Sequence, residues 1–354
     1  MRTNYSSEMT KSVKIKNLII GGGNPVAIQS MTNVSVTNID ATLQQIDEFV
    51  RAGGDIMRIA VPNVNAVDAF KQVRKQTAVP LVADIHFDYR LAIGAIEAGA
   101  DKIRINPGNI TAKQLDSVID CAKSHGVPIR IGVNSGSVNA EAMQRCNGDK
   151  CQALAYSLEQ YVAYFEEHGF DNLVLSVKSS DVRETIETNR LVAKLGYPLH
   201  LGVTEAGLLE QGLVKNAIGI GALLLDGIGD TIRVSLTADP VKEVYAAKDI
   251  LVSLGLRRGV KFVSCPKCGR CSIDLEKVAK DVYDFAKNLD CDLKIAVMGC
   301  EVNGPGECSD ANIGMAGMSG KYVFFKQGKR YKTVDESVAV KEFIEEIKLL
   351  TNDN

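Results

Sequence analysis

The sequence predicts an α/β protein: a closed (β/α)8 TIM barrel followed by a small α+β domain. Three observations lead there. Short apolar runs alternate with helical patterns eight times over roughly the first 240 residues, the rhythm of a parallel barrel. The helical stretches end in glycine just before an aspartate that opens the next run, as at Gly54-Asp55, Gly99-Ala100-Asp101 and Gly169-Phe170-Asp171, which marks a helix leaving into a strand. The 354 residues exceed what one core usually holds, so a large domain and a smaller one are expected, over 1–256 and 257–354. A doubly wound open sheet is the alternative architecture.

The first elements are KIKNLII and VAIQSM, two short strands around Gly21, Gly22 and Gly23. These glycines lack the spacing of a phosphate loop and read as a turn. The barrel strands follow as VAIQSM (26–31), DIMRIAV (55–61), LVADIHF (81–87), KIRINPG (102–108), PIRIGVNSG (128–136), LVLSVKSS (173–180), PLHLGVTEAG (198–207) and TIRVSLT (231–237). Helical stretches lie between them, including ATLQQIDEFVRAGG and one long stretch over 140–170. Another helix covers about 240–255, and LRRG forms a linker. In the second domain, residues 276–289 predict a helix, LKIAVMG a strand, YVFFKQGKRYKTV a hairpin around Gly328, and ESVAVKEFIEEIKLL a closing amphipathic helix.

Strands buried on both faces should be almost wholly apolar. These are not. Arg58, Arg104, Arg130 and Arg233 each interrupt a run, and Lys178 closes another. Several have a polar residue two positions on, hence on the same face: Arg104 with Asn106, Arg233 with Ser235, and likewise Asp84 with His86. Arg130 and Asn134 share parity, and Glu205 ends the seventh run. One buried arginine is most simply a structural ion pair. Four on separate strands, all near the C-terminal ends that converge on a barrel mouth, call for a multiply charged anion. The planar guanidinium fork suits phosphate, so the mouth reads as a site for a small substrate with more than one phosphate.

Five of the nine cysteines fall in SCPKCGRC and MGCEVNGPGEC: Cys265, Cys268, Cys271, Cys300 and Cys308, with Cys291 between. The N-terminus shows no charged segment followed by an apolar one, and no run is long enough to span a bilayer, so a cytoplasmic protein is expected. There, thiols bind metal rather than bridge. The spacing leaves iron–sulfur and zinc both open, with buried unligated thiols as a third reading. Cys121, Cys146 and Cys151 are expected in barrel helices as structural thiols. A net charge of −2 excludes nucleic-acid binding through a basic face.

With these motifs in view, the chain resembles the 4-hydroxy-3-methylbut-2-enyl diphosphate synthases, reductive enzymes of the non-mevalonate isoprenoid pathway. CPKCGR (265–270) and CEVNGPGE (300–307) carry the resemblance, supported by QSMTN (29–33), ADIHF (83–87), RINPGN (104–109), RIGVNSGS (130–137) and VTEAG (203–207). It implies a barrel followed by a [4Fe–4S] domain, with Cys265, Cys268, Cys300 and Glu307 as cluster ligands, and Cys271 and Cys308 outside the set. It implies that 2-C-methyl-D-erythritol 2,4-cyclodiphosphate is opened and dehydroxylated with two electrons from flavodoxin or ferredoxin. Arg58, Arg104, Arg130, Lys178, Arg233 and Ser235 would hold the diphosphate. Asn106, Asn134, Asp84 and His86 would line the pocket, Asn303 would touch substrate, and Glu205 would donate a proton or orient a hydroxyl. A head-to-tail homodimer of the common bacterial form is implied as well.

Two other readings compete: a phosphosugar aldolase- or pteroate-synthase-like barrel with a zinc ribbon, and a zinc-ribbon binding module. The first does not account for NGPGE so close behind a cysteine, and the near-neutral charge and polar barrel mouth weigh against the second. The C-x3-C-x2-C loop of radical S-adenosylmethionine chemistry is absent.

Overall fold

The computed structural model describes residues 10–134, 140–302, 306 and 308–352. The chain divides between Leu254 and Gly255 into two compact units.

In the first unit, KIKNLII is a hairpin rather than one strand. β1 (Val13–Ile15) turns at Lys16, φ 56°, into the antiparallel β2 (Leu18–Ile20). Eight parallel strands follow: β3 (Ala27–Met31), β4 (Ile56–Ala60), β5 (Leu81–Asp84), β6 (Lys102–Ile105), β7 (Ile129–Asn134), β8 (Leu173–Lys178), β9 (His200–Leu201) and β10 (Thr231–Ile232). Strands β3 to β8 pair in sequence, β10 lies between β3 and β9, and a parallel bridge from Leu175 to Leu199 closes the ring.

The helices are α1 (Ile39–Arg51), α2 (Val64–Arg74), α3 (Tyr89–Glu97), α4 (Ala112–His125), α5 (Ala140–Arg145), α6 (Lys150–Glu167), α7 (Val182–Val192), α8 (Leu209–Leu225) and α9 (Pro240–Ser253). Their starts are written in the sequence. Asn38, Asn63, Asp88, Asp149, Asp181 and Asp239 each accept a hydrogen bond from the first turn they open. The expected single helix over 140–170 is two, because Asn147 and Gly148 take φ of 51° and 81° and Asp149 starts afresh. Cys146 therefore lies in a turn, not in a helix.

Strand register arranges the barrel interior in layers of four side chains from alternate strands. The lowest holds Ile56, Lys102, Val174 and Thr231; the next Gln29, Val82, Arg130 and His200; the third Arg58, Arg104, Ser176 and Arg233; the fourth Met31, Asp84, Gly132 and Gly202. Below them the hairpin seals the floor. Val13, Ile15 and Ile20 pack on Ala27, Ile56, Val82 and Val174 in one buried cluster.

Beside this floor, Asp230 accepts the Leu199 N–H at 2.8 Å and the Thr10 hydroxyl at 3.2 Å. Burial pushes its carboxyl up to about 6, against the pull of these two bonds. A carboxyl raised in the folded state stabilises the fold while protonated, and that contribution is lost as pH rises through about 6. Asp230→Asn does not titrate, so its stability relative to the parent should rise by up to about 3 kcal/mol between about pH 4 and about pH 7.5. Urea midpoints at the two pH values measure it. A constant difference would contradict the raised carboxyl.

The second unit is one sheet in the order β11 (Val260–Ser264), β12 (Leu293–Met298), β13 (Ile313–Met318), β14 (Lys321–Lys326), β15 (Lys329–Asp335). β11, β12 and β13 run parallel, and β14 and β15 form the expected hairpin at Gly328. α10 (Leu275–Ala286) and α11 (Glu336–Asn352) cover one face, with Val282 and Phe343 packed against Ile295, Val297 and Phe324. β11 and β13 have no counterpart in the sequence reading. In IGMAGM two glycines and two methionines dilute the β-branched signal. Among the described residues no helix is long and apolar enough to cross a membrane.

Candidate active site

The third layer of the barrel is three guanidinium groups and a serine. Arg58 and Arg104 share Asp84, with Arg58 Nε 3.9 Å and Arg104 Nη1 3.4 Å from its carboxylate, and His86 Nε2 lies 3.3 Å from it. Burial raises the Asp84 carboxyl, but Arg58, His86, Arg104 and Arg130 outweigh it and hold the group well below the usual carboxylate range. Arg233 meets Glu243 of α9, Nε to Oε2 at 3.3 Å and Nη2 to Oε1 at 3.4 Å. Arg58 also donates Nε and Nη2 to the Met31 thioether at 3.1 and 2.9 Å. Burial, opposed by Asp84 and reinforced by Arg233 and Arg104, pulls Arg58 down to about 10.

Arg130 departs from its expected place near a strand end. It is the second residue of β7 and lies one layer deeper, only 2% exposed. Among the described residues its Nε and Nη2 have no hydrogen-bond partner, and neither does Arg104 Nε. Burial, with Arg58 and Arg104 nearby, pushes Arg130 well below the usual arginine range. Lys178 rises from β8 to donate to His200 Nε2 at 3.3 Å, and His200 Nδ1 lies 2.8 Å from Thr231 Oγ1. Burial, reinforced by Arg130, Arg233, Arg58 and Arg104, also pushes the Lys178 amine well below its ordinary value. Burial and then Lys178 press the imidazole well below its ordinary value and keep it neutral.

Two glycines make room for these cations. A Cβ on Gly132 would lie 3.0 Å from Arg104 Nε, and one on Gly202 would lie 2.8 Å from Lys178 Nζ. Arg58, Arg104, Arg130, Lys178 and Arg233 thus gather within the barrel, and Asp84 and Glu243 are the carboxylates hydrogen-bonded or ion-paired to them among the described residues. Such a set repels itself until an anion enters.

The remaining expected residues ring the opening. Asn106 caps the short turn Pro107–Asn109 by accepting the Gly108 N–H, and Asn109 holds the His86 carbonyl at 3.0 Å. Asn134 ends β7 beside Lys178 in register. β10 ends at Ile232, so Arg233 and Ser235 belong to the loop beyond it. The Ser235 backbone is clamped by buried Asn216 of α8, which accepts its N–H at 3.4 Å and donates to its carbonyl at 3.2 Å. Glu205 is exposed beyond β9, with φ 52°, a backbone region uncommon for residues other than glycine.

The sequence reading passed over Gln29, Met31, Lys102, Ser176, His200 and Glu243. Period-two spacing would have found Gln29 and Lys102, each two residues before an inward-facing side chain. Glu243 sits in a helix and has no local mark.

In the second unit, β11 and β12 end side by side, Ser264 opposite Val297. Cys265 follows the first strand and Cys300 the second, and the Gly299 N–H donates to Cys265 Sγ at 3.2 Å. Cys268 is exposed in the turn between. The Arg270 backbone N–H, against slight burial and helped by the Arg270 charge, lowers its thiol. Cys271 instead donates to the Ile273 carbonyl at 3.3 Å. Cys308 is fully buried among Ala296, Met298, Ala316 and Phe325. Asn303 and Glu307 lie outside the described residues. Among the described residues no three ligating side chains lie within reach of a single ion. Cys265 and Cys300, at adjacent strand ends and with an N–H aimed at the first sulfur, are two of the four soft donors that an iron–sulfur cluster takes.

Comparison with known proteins gives two matches to family models, the GcpE TIM-barrel domain over residues 10–248 and the GcpE protein C-terminal domain over residues 261–349. A 4-hydroxy-3-methylbut-2-en-1-yl diphosphate synthase (flavodoxin) of Caldanaerobacter subterraneus is 49% identical over 349 residues, covering 98% of either chain. Those of Thermotoga petrophila, covering 98% of either chain, and Clostridium perfringens, covering 96% of this chain and 99% of its own, are both 47% identical. Among solved structures, dihydropteroate synthase from Xanthomonas albilineans in complex with 7,8-dihydropteroate aligns with TM-score 0.52 and 16% identity, over 69% of this chain and 98% of that one. That likeness concerns the fold.

Proposed function

We propose, since the chain belongs to the GcpE family, that it is a flavodoxin-dependent 4-hydroxy-3-methylbut-2-enyl diphosphate synthase. It opens 2-C-methyl-D-erythritol 2,4-cyclodiphosphate and removes a hydroxyl, at the expense of two electrons, to give the linear allylic diphosphate. One observation carries the reading: a layer of three arginines in the barrel, with a fourth beneath, and among the described residues too few carboxylates to neutralise them. A cyclic diphosphate supplies the missing charge.

Residues up to 256 form the substrate-binding barrel in this reading, and 257–354 the cluster domain. Arg58, Arg104, Arg130, Lys178, Arg233 and Ser235 hold the diphosphate. Asp84 and His86, with Asn106 and Asn134, line the pocket and fix the arginines around it. Glu205 orients the departing hydroxyl or gives it a proton. Cys265, Cys268, Cys300 and Glu307 hold a [4Fe–4S] cluster, and Asn303 touches substrate. When bound, the cluster supplies the electrons and a Lewis-acidic iron. A carboxylate among thiolates leaves one position exchangeable. The proton of Cys271 is engaged by the Ile273 carbonyl and Cys308 is a core side chain, which supports leaving both out of the ligand set. A head-to-tail homodimer in the cytoplasm completes the reading.

Anaerobic iron and sulfide analysis of the parent, Cys271→Ala and Glu307→Ala tests it, with turnover of the cyclic diphosphate under dithionite and a viologen. The parent should hold about four irons and four sulfides per chain. Cys271→Ala should keep cluster and turnover, and Glu307→Ala should lose turnover. One zinc and no sulfide in the parent would replace the reading with the zinc-ribbon barrel.

A further inference from the structure

Ser30, Met31 and Glu243 stand outside the substrate set assigned above, yet they grip two of its arginines. Glu243 is buried on α9 and receives four donors. Oε2 accepts from Ser30 Oγ at 2.8 Å and Arg233 Nε at 3.3 Å. Oε1 accepts from Arg233 Nη2 at 3.4 Å and the Leu236 N–H at 3.0 Å. A carboxylate has about four lone-pair sites, so this one is full. Arg233 spends its Nε–Nη2 fork on this carboxylate, which leaves its Nη1 side free of Glu243. There Nη1 lies 4.0 Å from Met31 Sδ, the same sulfur that accepts from Arg58. Neighbouring residues of β3 thus face opposite ways: Ser30 to the helix layer, where it anchors Glu243, and Met31 to the barrel interior, between Arg58 and Arg233.

We propose that Glu243, anchored by Ser30, is the positioning residue for Arg233, setting which edge of that guanidinium meets the diphosphate. The proposal rests on the function assigned above. An arginine held in one rotamer before the anion arrives loses less freedom on binding. Unheld, Arg233 would be driven outward by Arg58 and Arg104. The diphosphate is held in substrate and transition state alike and gains a charge as its ring bond to carbon breaks, so a defect here lowers kcat/KM at least as much as it weakens pyrophosphate.

The test uses full-length protein prepared anaerobically with its iron–sulfur content restored. The parent, Glu243→Gln, Ser30→Ala, Arg233→Met and the Glu243→Gln/Arg233→Met double variant are compared. Affinity for inorganic pyrophosphate is measured by calorimetry, and KM and kcat with the cyclic diphosphate. Glu243→Gln should weaken pyrophosphate binding by about 10-fold to 30-fold and lower kcat/KM with the cyclic diphosphate by at least as much. Ser30→Ala should show the same pattern at about 3-fold to 5-fold. The double variant should bind no more weakly than Arg233→Met alone, because Glu243 acts through Arg233. Parent-like affinity and kcat/KM in a folded Glu243→Gln would overturn the proposal, as would additive losses in the double variant. Should Glu243→Gln fail to fold, Ser30→Ala decides, and unchanged affinity there overturns it. A parent that neither binds pyrophosphate nor turns over the cyclic diphosphate overturns the functional reading instead, and is told apart because the parent itself fails.

Discussion

An Arg130→Met variant should resist urea better than the parent in the absence of anions, and pyrophosphate should no longer protect it. Arg130 is enclosed in the barrel, with Nε and Nη2 unpartnered among the described residues, and Arg58 and Arg104 press on it while Asp84 offsets them only in part. Replacing buried ion pairs by apolar side chains of similar volume is often neutral or stabilises by about 1–4 kcal/mol, and a poorly compensated arginine should lie toward the upper end. In the parent the anion supplies that compensation, and saturation at a hundred times Kd adds about 2.7 kcal/mol. Losing two charge-assisted hydrogen bonds of about 1.5–3 kcal/mol each should weaken pyrophosphate by a hundredfold or more. Urea titrations of both proteins with and without pyrophosphate show the two opposite signs together. A variant less stable than the parent without the anion would mean that Arg130 is already balanced, and the charge argument for a diphosphate would lose its basis.

Cys300→Ala should lose iron, sulfide and turnover together, while Cys308→Ala keeps all three. Cys300 follows β12 at the strand ends where Cys265 also lies, whereas Cys308 fills an apolar cluster behind β13. Loss of a ligand should cost more than the roughly 100-fold that loss of a supporting residue does. Deleting the buried Cys308 sulfur should cost about 1–2 kcal/mol of stability and nothing else. Visible absorption and iron analysis of anaerobic protein, with urea midpoints, separate the two. A Cys308→Ala protein without iron would place that thiol in the ligand set.

Much of this was legible along the chain because it is local. Apolar runs ending in glycine and aspartate give the barrel, and cations breaking those runs at period two give the site. The depth of each cation is not local. Arg104 and Arg130 look alike in sequence, but the stagger between strands puts them in different layers. Glu243 was invisible for a related reason: its partner Ser30 is 213 residues away. KIKNLII misled because a bend at Lys16, with neither glycine nor proline, turns what reads as one strand into two. In the second unit the cysteine motifs stood out, while β13 was hidden by its composition.

The hairpin beneath the barrel has a consequence for traffic. With Val13, Ile15 and Ile20 stopping the lower end, the interior is a cul-de-sac. A spent diphosphate has to back out through the door it entered, before the next molecule can come in. The arginines that catch the incoming anion are then also the ones that delay the outgoing one. Grip and turnover pull against each other in such a vessel, where an arginine's N–H groups already have the Met31 thioether as an alternative acceptor to the anion.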